Sequence, residues 1–386
     1  MIWTHLQRAL AGAAATGSGN GLARFAYVPL FPAMVQAGWV DGGGAGFLGA
    51  AALGGYLLGT LGASRTALRF GVPRTLDIGM ALIVVSLAAC AWNGGFWWLA
   101  FWRSAAGVAG GFLMGLAGPA TLASVPAPIR GAAGGIVISG VGMGITAGAL
   151  LVPALLMAGV AAAWAGLAAT VALLWVFSHH RWPDMTMAPA GRRDAPRAWL
   201  LVTTYSLHSV GMVPPMVYLA DLAARGRGLG VTAGAMAWFL FGLGGVAGGI
   251  LSGRVTDRIG GRPTLLGWLC IQSVALALCL PPLDWLVLAA AAVAGFAAVG
   301  VSTVTLTVSR ELAPEASVGV WVRCTAAFGI TQTVVAFALA ALFAATGESH
   351  LAVFAVGTAA SCLAVASAAI LARRPRPPRP SPAPSG

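Results

Sequence analysis

Twelve stretches of about twenty mostly apolar residues follow one another along this chain of 386, and each is long enough for a helix to cross a bilayer. Their approximate limits are 9–34, 44–63, 75–92, 96–121, 132–157, 160–178, 198–221, 232–252, 264–281, 285–308, 318–344 and 350–372. In hydrocarbon every backbone N–H and C=O must be satisfied internally, so such segments become helices. The expected fold class is all-α integral membrane, with twelve transmembrane helices. Composition agrees. Charged residues are 8% of the chain and hydrophobic ones 59%, with mean hydropathy +0.87, whereas a soluble domain carries about 25% charged residues. The N-terminal "MIWTHLQRALAGAAATGSG" has the rough look of a signal peptide. Its apolar run continues past residue 30 through Arg24 without a clear cleavage site, so a retained first span is expected.

The formal net charge is +12, and all 22 basic residues are arginine. Such a balance suits a nucleic-acid binder, but the distribution argues against one. The arginines form short clusters between apolar segments, with no basic helix and no aromatic platform. They orient the chain instead. With the N-terminus inside, seventeen fall in cytoplasmic connections or termini, against two, Arg225 and Arg227, on the other side. The positive-inside rule is met. A multi-pass protein of a bacterial cytoplasmic (inner) membrane is expected, both termini cytoplasmic. Trp92, Trp97, Trp98 and Trp102 mark an outer interface.

"SRTALRFGVPRTL" (64–76) and "GRVTDRIGGRPTL" (253–265) align at an offset of 189. Arg65 meets Arg254, Arg69 meets Arg258, Gly71 meets Gly260 and Thr75 meets Thr264. Each copy sits between the second and third span of its half. Two six-helix repeats with the solute site between them are a transporter architecture. The expected division is 1–178, a cytoplasmic linker over 179–197, 198–372, and a disordered basic Pro-rich tail over 373–386 whose arginines are drawn to lipid. Small-residue pairs, Gly55/Gly59, Gly140/Gly144 and Gly244/Gly248, suit close helix approach. In the second loop copy Gly253, Asp257, Arg258, Gly260 and Arg262 are read as a gating latch, and Arg65, Arg69 and Gly71 as its weaker partner.

"GRVTDRIGGR" resembles the loop motif of the major facilitator superfamily (MFS), usually written G-x-x-x-D-R/K-x-G-R-R. The first-half copy departs from it, with Leu68 where the aspartate belongs. "RSAAGVAGGFLMG" (103–115) is similar to the superfamily's fourth-helix motif. "GLARFAYVPLFPAM" (21–34), "GFLGAAALGGYLLG" (46–59) and "TAAFGITQ" (325–332) look like the bacterial YbfB/YjiJ-type subfamily. The resemblance spans the chain and implies secondary transport of a small organic solute by alternating access. It names no solute.

Ionisable groups deep in a span are costly and are functional candidates. Arg24 lies near the midplane of span one, and its fork suits a carboxylate or phosphate. Arg103 lies two turns into span four, as a solute or proton-exchange residue or a snorkelling one. His208 in span seven is the best proton carrier by position, against a structural role. Asn20, Tyr27, Tyr56, Tyr205 and Gln332 are candidate cavity groups. Asp77 and Asp221 sit at helix ends, where topology accounts for them. The five cysteines suggest neither disulfides nor zinc, and His179–His180 lacks ligand partners at metal spacing. No cofactor is expected; a monomer in lipid is. Hydrolase motifs and a P-loop are missing from the sequence. Export of lipophilic compounds and non-transporting solute sensing are the alternatives.

Overall fold

The computed structural model of the chain describes residues 2–126, 129–183, 185, 198–313 and 317–373. All regular structure among these residues is helical. The first span is broken: α1 (Ile2–Thr16), a π-helical segment (Gly17–Phe25) and α2 (Tyr27–Gln36). Spans two to six are α3 (Gly42–Phe70), α4 (Val72–Cys90), α5 (Phe96–Ala123), α6 (Arg130–Leu156) and α7 (Val160–Ser178). Span seven is α8 (Trp199–Asp221) with a terminal π turn, Leu222–Gly226. Spans eight to twelve are α9 (Gly230–Ile259), α10 (Gly261–Ala277), α11 (Asp284–Leu312), α12 (Ser317–Ala345) and α13 (His350–Arg373). Nine of these helices are long and apolar enough to cross a membrane by length and composition. The first span is interrupted, α10 has 17 residues, and α8 carries the polar run "TTYSLHS".

The helices around the repeated motif are longer than the apolar pattern implied. α3 runs to Phe70 and α9 to Ile259, so Arg65, Arg69, Arg254, Asp257 and Arg258 lie on helix rather than in a loop. A helix need not end where hydrocarbon ends. It continues until a residue can leave the right-handed region. Gly71 (φ +83°) and Gly260 (φ +90°) do so, which costs glycine little. The two turns are the same structure. Gly71 N donates to Ala67 O and Gly260 N to Thr256 O, both at 2.8 Å. Thr75 Oγ1 donates to Gly71 O at 2.8 Å, and Thr264 Oγ1 to Gly260 O at 2.7 Å.

The repeat extends into packing. A Cβ on Gly55 or Gly59 would overlap the backbone of Ser104 or Val108 on α5; one on Gly244 or Gly248 would overlap that of Ala292 or Phe296 on α11. Gly55 and Gly59 stand 189 residues before Gly244 and Gly248. α3 thus rides on α5 as α9 rides on α11, with backbones touching where dispersion drives association in lipid. Gly140 and Gly144 are used differently. They abut Gly17 and Gly21, so the π segment of span one presses against α6. The halves meet along α3–α12, α6–α9 and α2–α8.

Of the linker expected over 179–197, only 179–183 and 185 are described. His179 Nδ1 and the indoles of Trp175 and Trp182 converge on one oxygen of Asp77, at 2.9, 2.8 and 2.8 Å. Asp77 therefore ties the end of α7 to α4, beyond what its place near a helix end suggested. The tail from 374 onward lies outside the described residues.

Candidate functional site

The π segment "GSGNGLARF" sets the site. Its three glycines let it lie against two helices, Gly19 on Gly110 of α5 and Gly17 and Gly21 on α6. A π turn shifts the aim of the side chains that follow and frees a carbonyl. Ala23 O is taken by Arg103, whose Nη1 donates to it at 2.6 Å.

Arg103 is 1% exposed on α5. Its guanidinium lies 4.3 Å from the ring centre of Tyr27 and 5.7 Å from that of Trp164. Cation–π contact of this kind strengthens as water is removed. Tyr27 OH donates to Ala45 O at 2.7 Å, which fixes the ring beneath it. Arg103 does not snorkel to an interface.

Arg24 lies one turn from Tyr27 at a small cavity of about 20 Å³, lined also by Arg103, Leu53, Met216 and Val217. Its Nη2 donates to Gln332 Oε1 of α12 at 2.9 Å, and Gln332 Nε2 faces Met216 Sδ at 3.3 Å. The guanidinium stands 4.8 Å from the ring centre of Tyr56. This bond crosses the halves: Arg24 belongs to span one and Gln332 to span eleven. The Nε atoms of Arg24 and Arg103 are buried without a hydrogen-bond partner, as is Asn20 Oδ1. Neither arginine pairs with a carboxylate among the described residues.

The structure brings Arg24, Arg103, Tyr27, Tyr56 and Gln332 together, with Asn20 on the same π segment. Tyr205 and His208 lie within the second half. His208 is fully buried, and its Nδ1 contacts Gln272 Oε1. Gln272 Nε2 donates to Ser361 Oγ at 3.0 Å. Tyr205 stacks on His208 and packs tilted on Phe328, which also touches His208, and its hydroxyl donates to Ser302 Oγ at 2.9 Å. Arg65, Arg69, Gly253, Asp257 and Arg258 are exposed at the arginine-rich face, and Arg262 is 5% exposed. Asp257 makes no ion pair with a described residue.

A second polar centre escaped the sequence reading. At the face opposite the arginine-rich one, Asp221 is fully buried and accepts from Arg225 Nε at 2.5 Å, Arg225 Nη2 at 2.7 Å and His350 Nε2 at 2.8 Å. Arg225 Nη1 reaches Glu348 Oε2 at 2.6 Å, while Glu348 Oε1 accepts from Gly42 N of the other half at 2.6 Å. Burial works against the Arg225 charge, but Asp221 and then Glu348 outweigh it and raise its pKa. The i,i+4 spacing of Asp221 and Arg225 was the available signal. Nothing local tied either to residues 348 and 350.

A family model described as "Uncharacterised MFS-type transporter YbfB" matches residues 16–371. A search of the curated proteins found no match. Several solved structures share the fold. A crystal structure of the nucleoside transporter NupG superposes with a TM-score of 0.75 at 12% identity, covering 96% of this chain and 100% of that one. A D-xylose–proton symporter gives 0.72 at 16%, covering 97% and 98%. A bacterial homolog of the human lysosomal transporter Spinster, solved inward-facing and unoccupied, gives 0.64 at 16%, covering 96% and 95%.

Proposed function

We propose, for a chain that belongs to the family of MFS-type transporters typified by YbfB, that the solute it moves carries a negative charge held by Arg24, with Arg103 behind it. Membership makes it a multi-pass secondary transporter with two six-helix repeats. The observation that carries the solute reading is a cavity lined by two guanidiniums with no carboxylate paired to either. Holding two uncompensated cations away from water is costly, and an anionic solute offsets that cost. The fork geometry favours a carboxylate or phosphate. Leu53, Met216 and Val217 offer the rest of the solute an apolar wall.

Arg24 also supplies a link to movement. In this conformation it holds Gln332 across the halves. A solute carboxylate competes with that amide for the same guanidinium, so loading alters the bonding between the two bodies that rock. Tyr27 of the cavity wall, with Tyr56 against the Arg24 guanidinium and Asn20 on the same π segment, orients the solute. The turns at Gly71 and Gly260, with Asp257 and the flanking arginines, remain the proposed latch of the arginine-rich face. The excess of arginine supports a cytoplasmic position for that face, with both termini on it, in a bacterial inner membrane. The protein works as a monomer in lipid.

The test is thermal stabilisation of the purified protein by a panel of small carboxylates, phosphates and lipophilic compounds, with Arg24→Gln beside it. Stabilisation by carboxylates, lost in the variant, is expected, followed by uptake of the same compounds into proteoliposomes. Stabilisation by lipophilic compounds alone, equal in both proteins, would turn the reading toward export of apolar solutes. Binding without uptake would make the protein a sensor.

A further inference from the structure

The cluster at the face opposite the arginines has charges that do not balance. It holds the carboxylates of Asp221 and Glu348 against one guanidinium, Arg225. With a neutral His350 the sum is −1; with a protonated one it is zero. We propose that His350 is a proton-binding site and that loading it holds this face of the transporter closed. The inference does not depend on the charge of the solute.

The geometry defines where the proton goes. An ionised Asp221 can only accept, so the His350 Nε2 at 2.8 Å from Asp221 Oδ2 carries a hydrogen in either state. The proton adds at Nδ1, on the side of the ring that faces Gly226. The imidazole side chain is 12% exposed and the Asp221 side chain wholly enclosed, while Glu348 lies at the rim, 31% exposed, so water screens the charge poorly at the Asp221–His350 end of the cluster. The groups facing the ring are Asp221 from α8, Arg225 from the π turn, Glu348 from the α12–α13 turn and the Phe343 ring of α12 at 5.0 Å. Tyr218 packs tilted against Phe343, its ring centre 4.9 Å away.

The cluster is also the joint. Bonds run from His350 to Asp221, to Arg225, to Glu348, and from Glu348 to Gly42 N in the other half. Glu348 is the one non-glycine residue with positive φ among those described, at +66°. A backbone held there marks a position fixed by its surroundings. Opening this face parts Gly42 from Glu348 and admits water, and the unbalanced charge then costs less. The closed state therefore binds the proton more tightly than the open one. By linkage, acid favours closure and closure takes up a proton. Histidine is the ordinary side chain that changes charge between about pH 5 and pH 8. His208 lies inside one half, against Gln272, with no bond to the other.

The experiment uses the full chain in lipid nanodiscs, with exposed Cys270 and Cys362 replaced by alanine. Spin labels go on Ala37 and Thr346, exposed in the α2–α3 and α12–α13 turns. Pulsed dipolar spectroscopy reads the short-distance, closed fraction. The closed-to-open ratio is expected to rise severalfold as pH falls from about 8 to about 5.5, by at most about tenfold per unit for one proton. His350→Gln keeps a donor to Asp221 but takes no proton, so its ratio should be flat. A flat ratio in the wild type overturns the proposal without any variant. An undiminished slope in His350→Gln also overturns it, and loss of that slope in Asp221→Asn would move the proton to Asp221.

Discussion

At the scale of residues, the decisive contrast is between two arginines of one cavity, Arg24 partly buried and Arg103 fully so. Arg24 reaches across the halves to the Gln332 amide, the partner that the proposed solute displaces; Arg103 is spent on Ala23 O and two aromatic faces. Lysine cannot lie flat on Tyr27 and fork to a carbonyl at once. Arg103→Lys is therefore expected to destabilise the protein by about 1–3 kcal/mol, read as a lowered melting temperature in detergent. Gln332→Leu removes the resident acceptor of Arg24. It should tighten binding of a carboxylate solute by about three- to tenfold, as removal of a competing hydrogen bond worth about 1 kcal/mol implies, measured by calorimetry. Weaker binding in that variant would show that Gln332 holds the solute rather than competing with it. The depth of Arg24 was legible from its place in span one. Its partner was not, since 308 residues separate them.

At the scale of elements, glycine does two jobs. Where φ is positive, at Gly71 and Gly260, it ends a helix. Within the helices it brings backbones together. Gly59→Val and Gly248→Val would drive a side chain into the carbonyls of Val108 and Phe296. Each should cost about 1–3 kcal/mol by overpacking and lower both the melting temperature and the yield of folded protein. Gly118 of α5 has open space around it. Gly118→Ala should be neutral or stabilise by up to about 1 kcal/mol, which separates contact from helix propensity. The small-residue spacing was visible in the sequence. The segment on which each pair packs was not: Gly140 lies on the end of α1 at Ala13 and Thr16, and Gly144 on the π segment at Gly17 and Gly21. The π segment itself carries no periodic signal, because an extra residue per turn looks like an ordinary apolar run.

At the scale of the whole molecule, the two faces differ in kind. The arginine-rich one is charged by topology, and the opposite one is held shut across the halves by Glu348. A membrane-impermeant maleimide applied to intact bacterial cells should label Ala37→Cys and spare Arg69→Cys; the reverse pattern would invert the proposed orientation. The sequence by itself determined the helical class, the number of spans, the side favoured by arginine and the internal repeat. Those properties depend on local length, polarity and spacing, which a bilayer reads one segment at a time. Only the tertiary structure decided which polar groups meet: Arg24 with Gln332, Asp77 with two indoles and His179, and Asp221 and Arg225 with Glu348 and His350. Each meeting joins separate spans. It is set by how twelve helices pack, and packing in lipid turns on close shape matching that no single segment encodes.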